Sequence, residues 1–275
     1  GVAAADSFAR VAGSSMKISI LTPNFNGAQW LARCMDSVLS QELAPDDELE
    51  YIVVDGGSTD GSLAIAEARR DRLAALISEK DKGPADALNK GFRLATGDLV
   101  GWLNADDVYR PGALAAAMAT AKAHPAAALF FGKCRIVDED GKEIRGFPTF
   151  VKNACFPISC RFLIQCINYV SQPASWFRRS ALAAAGGLRT DFKAAFDYDL
   201  TLRLWRQGGG VQIPGGPWAD FQWHPGSISG TRYEQQFEEE WRAAAEDTGK
   251  GSPQAVLHWL VRHGIVACYR WMNRR

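Results

Sequence analysis

Short blocks of branched and aromatic residues recur along the first hundred positions, and each stops at a glycine-rich or acidic polar turn. Residues 17–21, 49–54, 76–78 and 99–103 form such blocks. They are too short for helices and predict strands buried on both faces of a sheet. Between them apolar residues return every three or four positions: Trp30, Leu31, Cys34, Met35, Val38 and Leu39 in one stretch, 62–72 in the next, and Ala85, Leu88 and Phe92 in a third. That spacing predicts amphipathic helices. Strand and helix in alternation predict an α/β fold, a mostly parallel sheet joined by right-handed crossovers and flanked by helices.

Beyond residue 107 the pattern changes. Pro111 opens an alanine-rich helix running to about His124, strands are expected at 129–131 and 134–137, and Asp138-Glu139-Asp140-Gly141 reads as a hairpin turn returning through 142–145. Residues 147–170 show no clear period, which predicts a loop-rich region lining one side of a pocket. Trp176-Phe177 reads as a short strand, 179–185 as a short helix ended by Gly186-Gly187, and 198–207 as a helix closed by Gly208-Gly209-Gly210. The helix expected over 232–245 aligns Tyr233, Phe237, Trp241 and Ala244 on one face and is expected to keep its glutamates in water. Residues 253–275 contain no acid; Leu257, Leu260, Val261, Ile265, Cys268 and Met272 fall on one side of a helical wheel, with His258, Arg262, His263, Arg270 and Arg274 largely on the other. Such a segment suits a docking helix, an oligomer contact, or a helix lying on an anionic membrane surface.

The chemistry sits in the turns. Parallel strands send their carboxyl-terminal loops to one edge of the sheet, where open α/β sheets bind ligands. That crevice gathers Thr22, Asn24, Asn26, Asp55, Asp86, Asn104, Asp106 and Asp107, with few cations to neutralise a phosphate. Adjacent carboxylates such as Asp106 and Asp107 repel each other, and a divalent cation bridging them to a diphosphate relieves both deficits. The plainer alternative is a solvated turn whose Asp caps the next helix. The first loop, Thr22-Pro23-Asn24-Phe25-Asn26-Gly27, lacks the Gly-x-Gly-x-x-Gly of dinucleotide-binding folds and the basic glycine-rich loop of a sugar nucleotidyltransferase.

Composition narrows this further. A chain of 275 residues, 47% hydrophobic and 23% charged, can bury one large or two small cores. Lys plus Arg and Asp plus Glu balance at 31 each, so no overall field selects nucleic acid. The six cysteines match no metal or redox spacing and fit reduced thiols in a cytoplasmic protein. Residues 1–15 are unpatterned and precede Met16-Lys17-Ile18, which fits a disordered or vector-derived leader. No uninterrupted apolar run reaches transmembrane length, so membrane contact, if any, is expected to be peripheral on the cytoplasmic face.

Four stretches in order, Ser19-Ile20-Leu21-Thr22-Pro23-Asn24-Phe25-Asn26, Tyr51-Ile52-Val53-Val54-Asp55-Gly56-Gly57-Ser58-Thr59-Asp60-Gly61, Glu79-Lys80-Asp81-Lys82-Gly83-Pro84-Ala85-Asp86-Ala87-Leu88-Asn89-Lys90-Gly91 and the segment 97–107, resemble the nucleotide-sugar-binding half of a family 2 glycosyltransferase of the GT-A fold, of the kind that builds bacterial polysaccharides. The resemblance implies a nucleotide-sugar-binding half over 16–107, an acceptor-binding half over 108–230, and added C-terminal helices over 231–275. It implies that Thr22, Pro23, Asn24 and Asn26 wall the nucleoside pocket, that Asp55 takes the base through its ring N–H, and that Asp86 lines the same pocket. In the family's Asp-x-Asp motif the first acid contacts ribose and the last binds the metal; here these are Asn104 and Asp106, with Asp107 a helper or a cap.

Looser similarity continues to about residue 230. Ser171-Gln172-Pro173-Ala174-Ser175-Trp176-Phe177-Arg178-Arg179 and Gly186-Gly187-Leu188 look like the acceptor-side segment. Phe196-Asp197 stands where the family has a Glu-Asp pair whose aspartate is the general base, and His224-Pro225-Gly226-Ser227-Ile228-Ser229 resembles a closing loop that completes the metal or diphosphate site. The implied reaction is Mn2+- or Mg2+-dependent inverting transfer from a UDP- or GDP-sugar to a saccharide or lipid-linked saccharide hydroxyl. Asn104 and Phe196, each standing where the family carries an acid, leave open a catalytically silent nucleotide-sugar-binding or scaffold subunit of a glycan-assembly complex.

Overall fold

A computed structural model describes residues 15–272. All but the last position of the expected leader lies outside the described residues, as do the side chains of Cys268, Arg270, Met272 and Arg274. The chain runs β1 (Lys17–Asn24), α1 (Leu31–Leu39), β2 (Glu48–Asp55), α2 (Ser62–Glu67), β3 (Ala75–Ser78), α3 (Pro84–Leu94), β4 (Leu99–Trp102), β5 (Val108–Tyr109), α4 (Ala113–Ala123), β6 (Leu129–Phe131) and β7 (Cys134–Val137). It continues through α5 (Gly146–Cys155), α6 (Arg161–Cys166), β8 (Ser175–Arg178), α7 (Arg179–Ala185), α8 (Phe196–Gly208), β9 (Gly210–Gln212), β10 (Ala219–Gln222), α9 (Ile228–Thr231), α10 (Tyr233–Thr248) and α11 (Pro253–Met272).

The main sheet has the order β3-β2-β1-β4-β8-β6-β9. Its first four strands are parallel, as the alternation of strand and helix predicts; β8 inserts antiparallel between β4 and β6. Both faces are covered. In β2, Tyr51 and Val53 join an apolar cluster with α1 and α4, while Ile52 and Val54 join the opposite cluster with α3, α7, α8 and α10. Double-sided burial explains why these strands read as continuous apolar runs. Gly101, in the middle of β4, has no room for a side chain, because a Cβ there would stand 2.6 Å from Cδ1 of Trp176 on β8.

A second, smaller sheet, in the order β5-β10-β7, comes from strands of two to four residues. β5 and β10 were beyond the reach of periodicity, since so short a strand carries no pattern. The return expected over 142–145 is reduced to one antiparallel bridge between Val137 and Glu143.

Three expectations are corrected. Residues 147–170 are not loop-rich but contain α5 and α6; their apolar residues lack a period because α5 faces a cavity and solvent, leaving Phe147 and Phe150 exposed. On α10, Glu239 and Glu240 are buried rather than in water. On α11 the expected faces are rearranged: His258 is buried, with Nδ1 3.1 Å from the Gln165 carbonyl oxygen, while Leu257 and Leu260 are exposed. The surface that α11 meets carries polar groups of α6, α8 and α10, so a histidine docks where the wheel offered leucine. No helix among the described residues is long and apolar enough to cross a membrane.

Gly101→Ala should destabilise the fold by about 1–3 kcal/mol through overpacking against Trp176. Urea unfolding of variant and parent checks this, and equal midpoints would show that β8 can yield without cost.

Candidate active site

The loops that leave β1, β2 and β4 meet on one side of a cavity of about 1860 Å³, and the opposite side is built from α5, α8, α10 and α11. Pro23, Asn24, Asn26, Asn104, Asp106, Asp197 and His224 all line it. Thr22, Asp55, Asp86 and Asp107 do not. The crevice predicted from the loops is thus real, but three of its four acids, Asp55, Asp86 and Asp107, turn away from it.

Asp55 is almost wholly buried and acts as the hub of the nucleoside-side loops. One carboxylate oxygen accepts from Asn24 Nδ2 at 2.8 Å and from the Ser58 hydroxyl; the other accepts from the Gly57 and Ser58 amides and from Ser78 Oγ at 2.8 Å. Burial pushes its pKa up, but hydrogen bonds from Ser58, Asn24 and Ser78 outweigh it and hold the carboxyl below its ordinary value. Thr22 is buried against Tyr51, their hydroxyls 2.8 Å apart. Asp86 accepts from the Lys82 amide at 3.0 Å in the first turn of α3. Asn26 holds Thr59 through its side-chain oxygen at 2.9 Å. Phe25, 67% exposed, lines the cavity between Asn24 and Asn26.

At the end of β4 the two acids separate. Asp107 points into the interior, accepting from the Gln222 amide at 3.0 Å and from Asn104 Nδ2 at 3.1 Å. It caps no helix, and it ties the β4 turn to β10. Burial, reinforced by the charge of Asp106, pushes its pKa well up. Asp106 faces the cavity, where its Oδ2 lies 3.1 Å from His224 Nε2. That contact raises the His224 pKa, and the imidazole stacks on Trp30 with centroids 5.6 Å apart. Asn104 is committed to the protein, its amide donating to Asp107 and to Gln172 Oε1 at 3.1 Å. Among the described residues no cluster of three His, Cys, Asp or Glu side chains is arranged to hold a metal. Asp106 and His224 are a pair, the number of protein ligands a cation needs when substrate phosphates supply the rest.

Across the cavity, Asp197 is the second residue of α8 and half-buried; burial raises its pKa. Phe196, in the place of the expected acid, stacks on Trp102 with centroids 6.4 Å apart and so belongs to the cavity floor. Lys152, Asn168 and Glu240 line the same side.

The comparisons with known proteins agree with this geometry. Residues 19–184 match the model of Glycosyl transferase family 2. The chain belongs to that family. This family 2 glycosyltransferase is 36% identical over 194 residues to the O-antigen biosynthesis protein RfbC of Myxococcus xanthus, a match covering 68% of the chain and 14% of RfbC. It is 33% identical over 193 residues to an uncharacterized glycosyltransferase of Mycobacterium tuberculosis, covering 69% of each. Among solved structures it resembles Staphylococcus aureus TarS 1-349 in complex with UDP-GlcNAc, with a TM-score of 0.70 at 20% identity over 90% of the chain and 72% of TarS. It also resembles the mannosyltransferase PcManGT of Pyrobaculum calidifontis in complex with GDP-Man and Mn2+, with a TM-score of 0.65 at 19% identity over 95% and 81% of the two chains. The fold is therefore GT-A.

Sequence reasoning missed Glu240. Burial lifts its carboxyl to about 7, against hydrogen bonds from Asn168 and Gln236, and the charge of Asp197 adds to the rise. A signal existed: Glu240 stands three residues after Phe237 and seven after Tyr233, in helical register with the Tyr233, Phe237, Trp241 and Ala244 face that was expected to pack on the body. A glutamate on an apolar face needs a partner or a cavity.

Asp55→Asn should cost about 1–3 kcal/mol of stability at neutral pH, because an amide cannot accept all the donors now aimed at the carboxylate. Since the folded-state pKa is depressed, this contribution is full above the unfolded value near 4 and is lost as pH falls through the folded one. Urea midpoints of the two proteins should therefore converge on acidification below about pH 4.

Proposed function

We propose that this chain transfers one sugar from a nucleoside diphosphate sugar, UDP- or GDP-linked, to a hydroxyl of a saccharide or lipid-linked saccharide, with inversion at the anomeric carbon. One observation carries the reading: a single cavity holds the Asp106–His224 pair beside the nucleoside-side loops and Asp197 on the facing wall. A donor bound with its diphosphate at the pair would present its anomeric carbon toward Asp197.

Phe25 offers an exposed aromatic face for the base, flanked by the asparagines that brace its loop. Asp55 shapes this pocket from behind by fixing Asn24 and residues 57–58, a role that differs from taking the base directly. Asp106 and His224 would hold a divalent cation, and the imidazole nitrogen favours Mn2+ over Mg2+. When bound, the cation supplies Lewis-acid stabilisation of the departing diphosphate. Asp197 accepts the proton of the attacking hydroxyl as the new C–O bond forms on the face opposite the diphosphate, and its burial makes it a stronger base than an exposed aspartate. Phe196 is no bar to this chemistry, since the proton acceptor is Asp197.

Apolar side chains on α5 and α11 support the lipid-linked form of the acceptor. Phe147 of α5 and Val261 and Ile265 of α11 line the cavity, while Phe150, Leu257, Trp259 and Leu260 on the same two helices are exposed.

A panel of UDP- and GDP-sugars, screened by thermal unfolding with and without Mn2+, tests the donor. The matching donor should stabilise the protein by about 2.7 kcal/mol at roughly one hundred times its Kd, and only when the metal is present. Asp106→Ala should erase that metal dependence; stabilisation of equal size without metal would sink the assignment. Asp197→Asn should lower turnover roughly a hundredfold or more while sparing nucleotide binding by calorimetry, and unchanged turnover would exclude it as the base.

A further inference from the structure

Glu239 is 7% exposed, yet its carboxylate meets no cation in the contacts it makes. One oxygen, Oε2, accepts from three consecutive backbone amides: Lys193 at 2.9 Å, Ala194 at 2.7 Å and Ala195 at 3.0 Å. The other accepts from Gln235 Nε2 at 2.9 Å. Ala195 is the N-cap residue immediately before α8, and Asp197 follows two positions later. Oriented amides at a helix N-terminus are a stable place for a buried anion, and each of these bonds is charge-assisted. A long-range tie from α10 thus fixes the backbone that carries Asp197 to the cavity.

We propose that Glu239 is a positioning residue for Asp197: its carboxyl group anchors residues 193–195 just before α8, and its charge acts on the Asp197 carboxyl. The proposal rests on the reading of Asp197 as the proton acceptor. The groups that act on Asp197 come from several elements. Lys152 of α5 favours its ionised form, as does the amide of Tyr198, whereas burial and the charge of Glu239 oppose it. Glu240 of α10 also interacts with Asp197, and its own carboxyl is lifted to about 7. His258 of α11, 4.0 Å from Glu240, is held neutral by burial, its pKa lowered to about 4. Four donors therefore hold the Glu239 carboxyl group in one place.

Two measurements test the two halves. Amide hydrogen exchange read by mass spectrometry requires no substrate. In Glu239→Ala the peptide covering 193–197 should exchange roughly tenfold faster or more, the equivalent of losing one charge-assisted hydrogen bond, while peptides from β1 and β4 are unchanged. Unchanged exchange at 193–197 overturns the anchor, and if the alanine variant does not fold, Glu239→Leu, which fills similar space without an acceptor oxygen, carries the same comparison. Donor hydrolysis with water as acceptor, using UDP-GlcNAc and GDP-mannose and following release of UDP or GDP, tests the charge. Glu239→Gln keeps the shape but removes the charge, so the acidic limb of the kcat profile should move to lower pH by about half a unit, with donor KM within about twofold; Glu239→Asp should restore the limb. A limb that stays in place while kcat falls overturns the electrostatic half. Full turnover in Asp197→Asn would instead remove the base assignment, and the exchange result would still report on the anchor alone.

Discussion

Buried carboxylates must find donors, and around this cavity that requirement organises the protein. Asp55 gathers donors from the ends of β1 and β3 and from the loop after β2; Asp107 joins the β4 turn to β10; Glu239 joins α10 to the start of α8. Each ties together segments far apart in sequence, and an unsatisfied carboxylate in any of these positions would cost several kcal/mol. With those acids engaged elsewhere, Asp81 and Asp106 on one side and Asp197 and Glu240 on the other face the cavity.

The same constraint separates what a motif names from what its members do. Asp106 and Asp107 are neighbours in sequence, and on paper both could hold a cation. The chain turns one outward to His224 and the other inward to a backbone amide of β10. Asn104, in the motif's first place, gives its amide to Asp107 and Gln172 and so braces the turn. Phe196 answers a different need: next to Trp102 it closes the cavity floor with an aromatic contact where the family pattern carries an acid.

Much of the fold was legible. The runs at 17–21, 49–54 and 99–103 become strands because burial on both faces demands continuous apolar residues, and the helices between them bury their predicted faces. The short strands β5 and β10 were not legible, because two to four residues carry no periodicity. Helix α5 was read as loop, and α10 and α11 were misjudged in their faces, for a shared reason: they cover a cavity and polar surfaces, so hydrophobicity does not report which side is inward. Of the expected site residues, Pro23, Asn24, Asn26, Asn104, Asp106, Asp197 and His224 line the cavity, whereas Thr22, Asp55, Asp86 and Asp107 stand behind it or away from it.

The sequence by itself determined the parallel sheet, the edge at which its loops converge and the family, since these follow from apolar runs, turn residues and motif order along the chain. Only the tertiary structure decided which carboxylates face the cavity. A side chain's direction there depends on donors supplied by distant segments, the Gln222 amide for Asp107 and the amides of 193–195 for Glu239, and no local pattern records those partners.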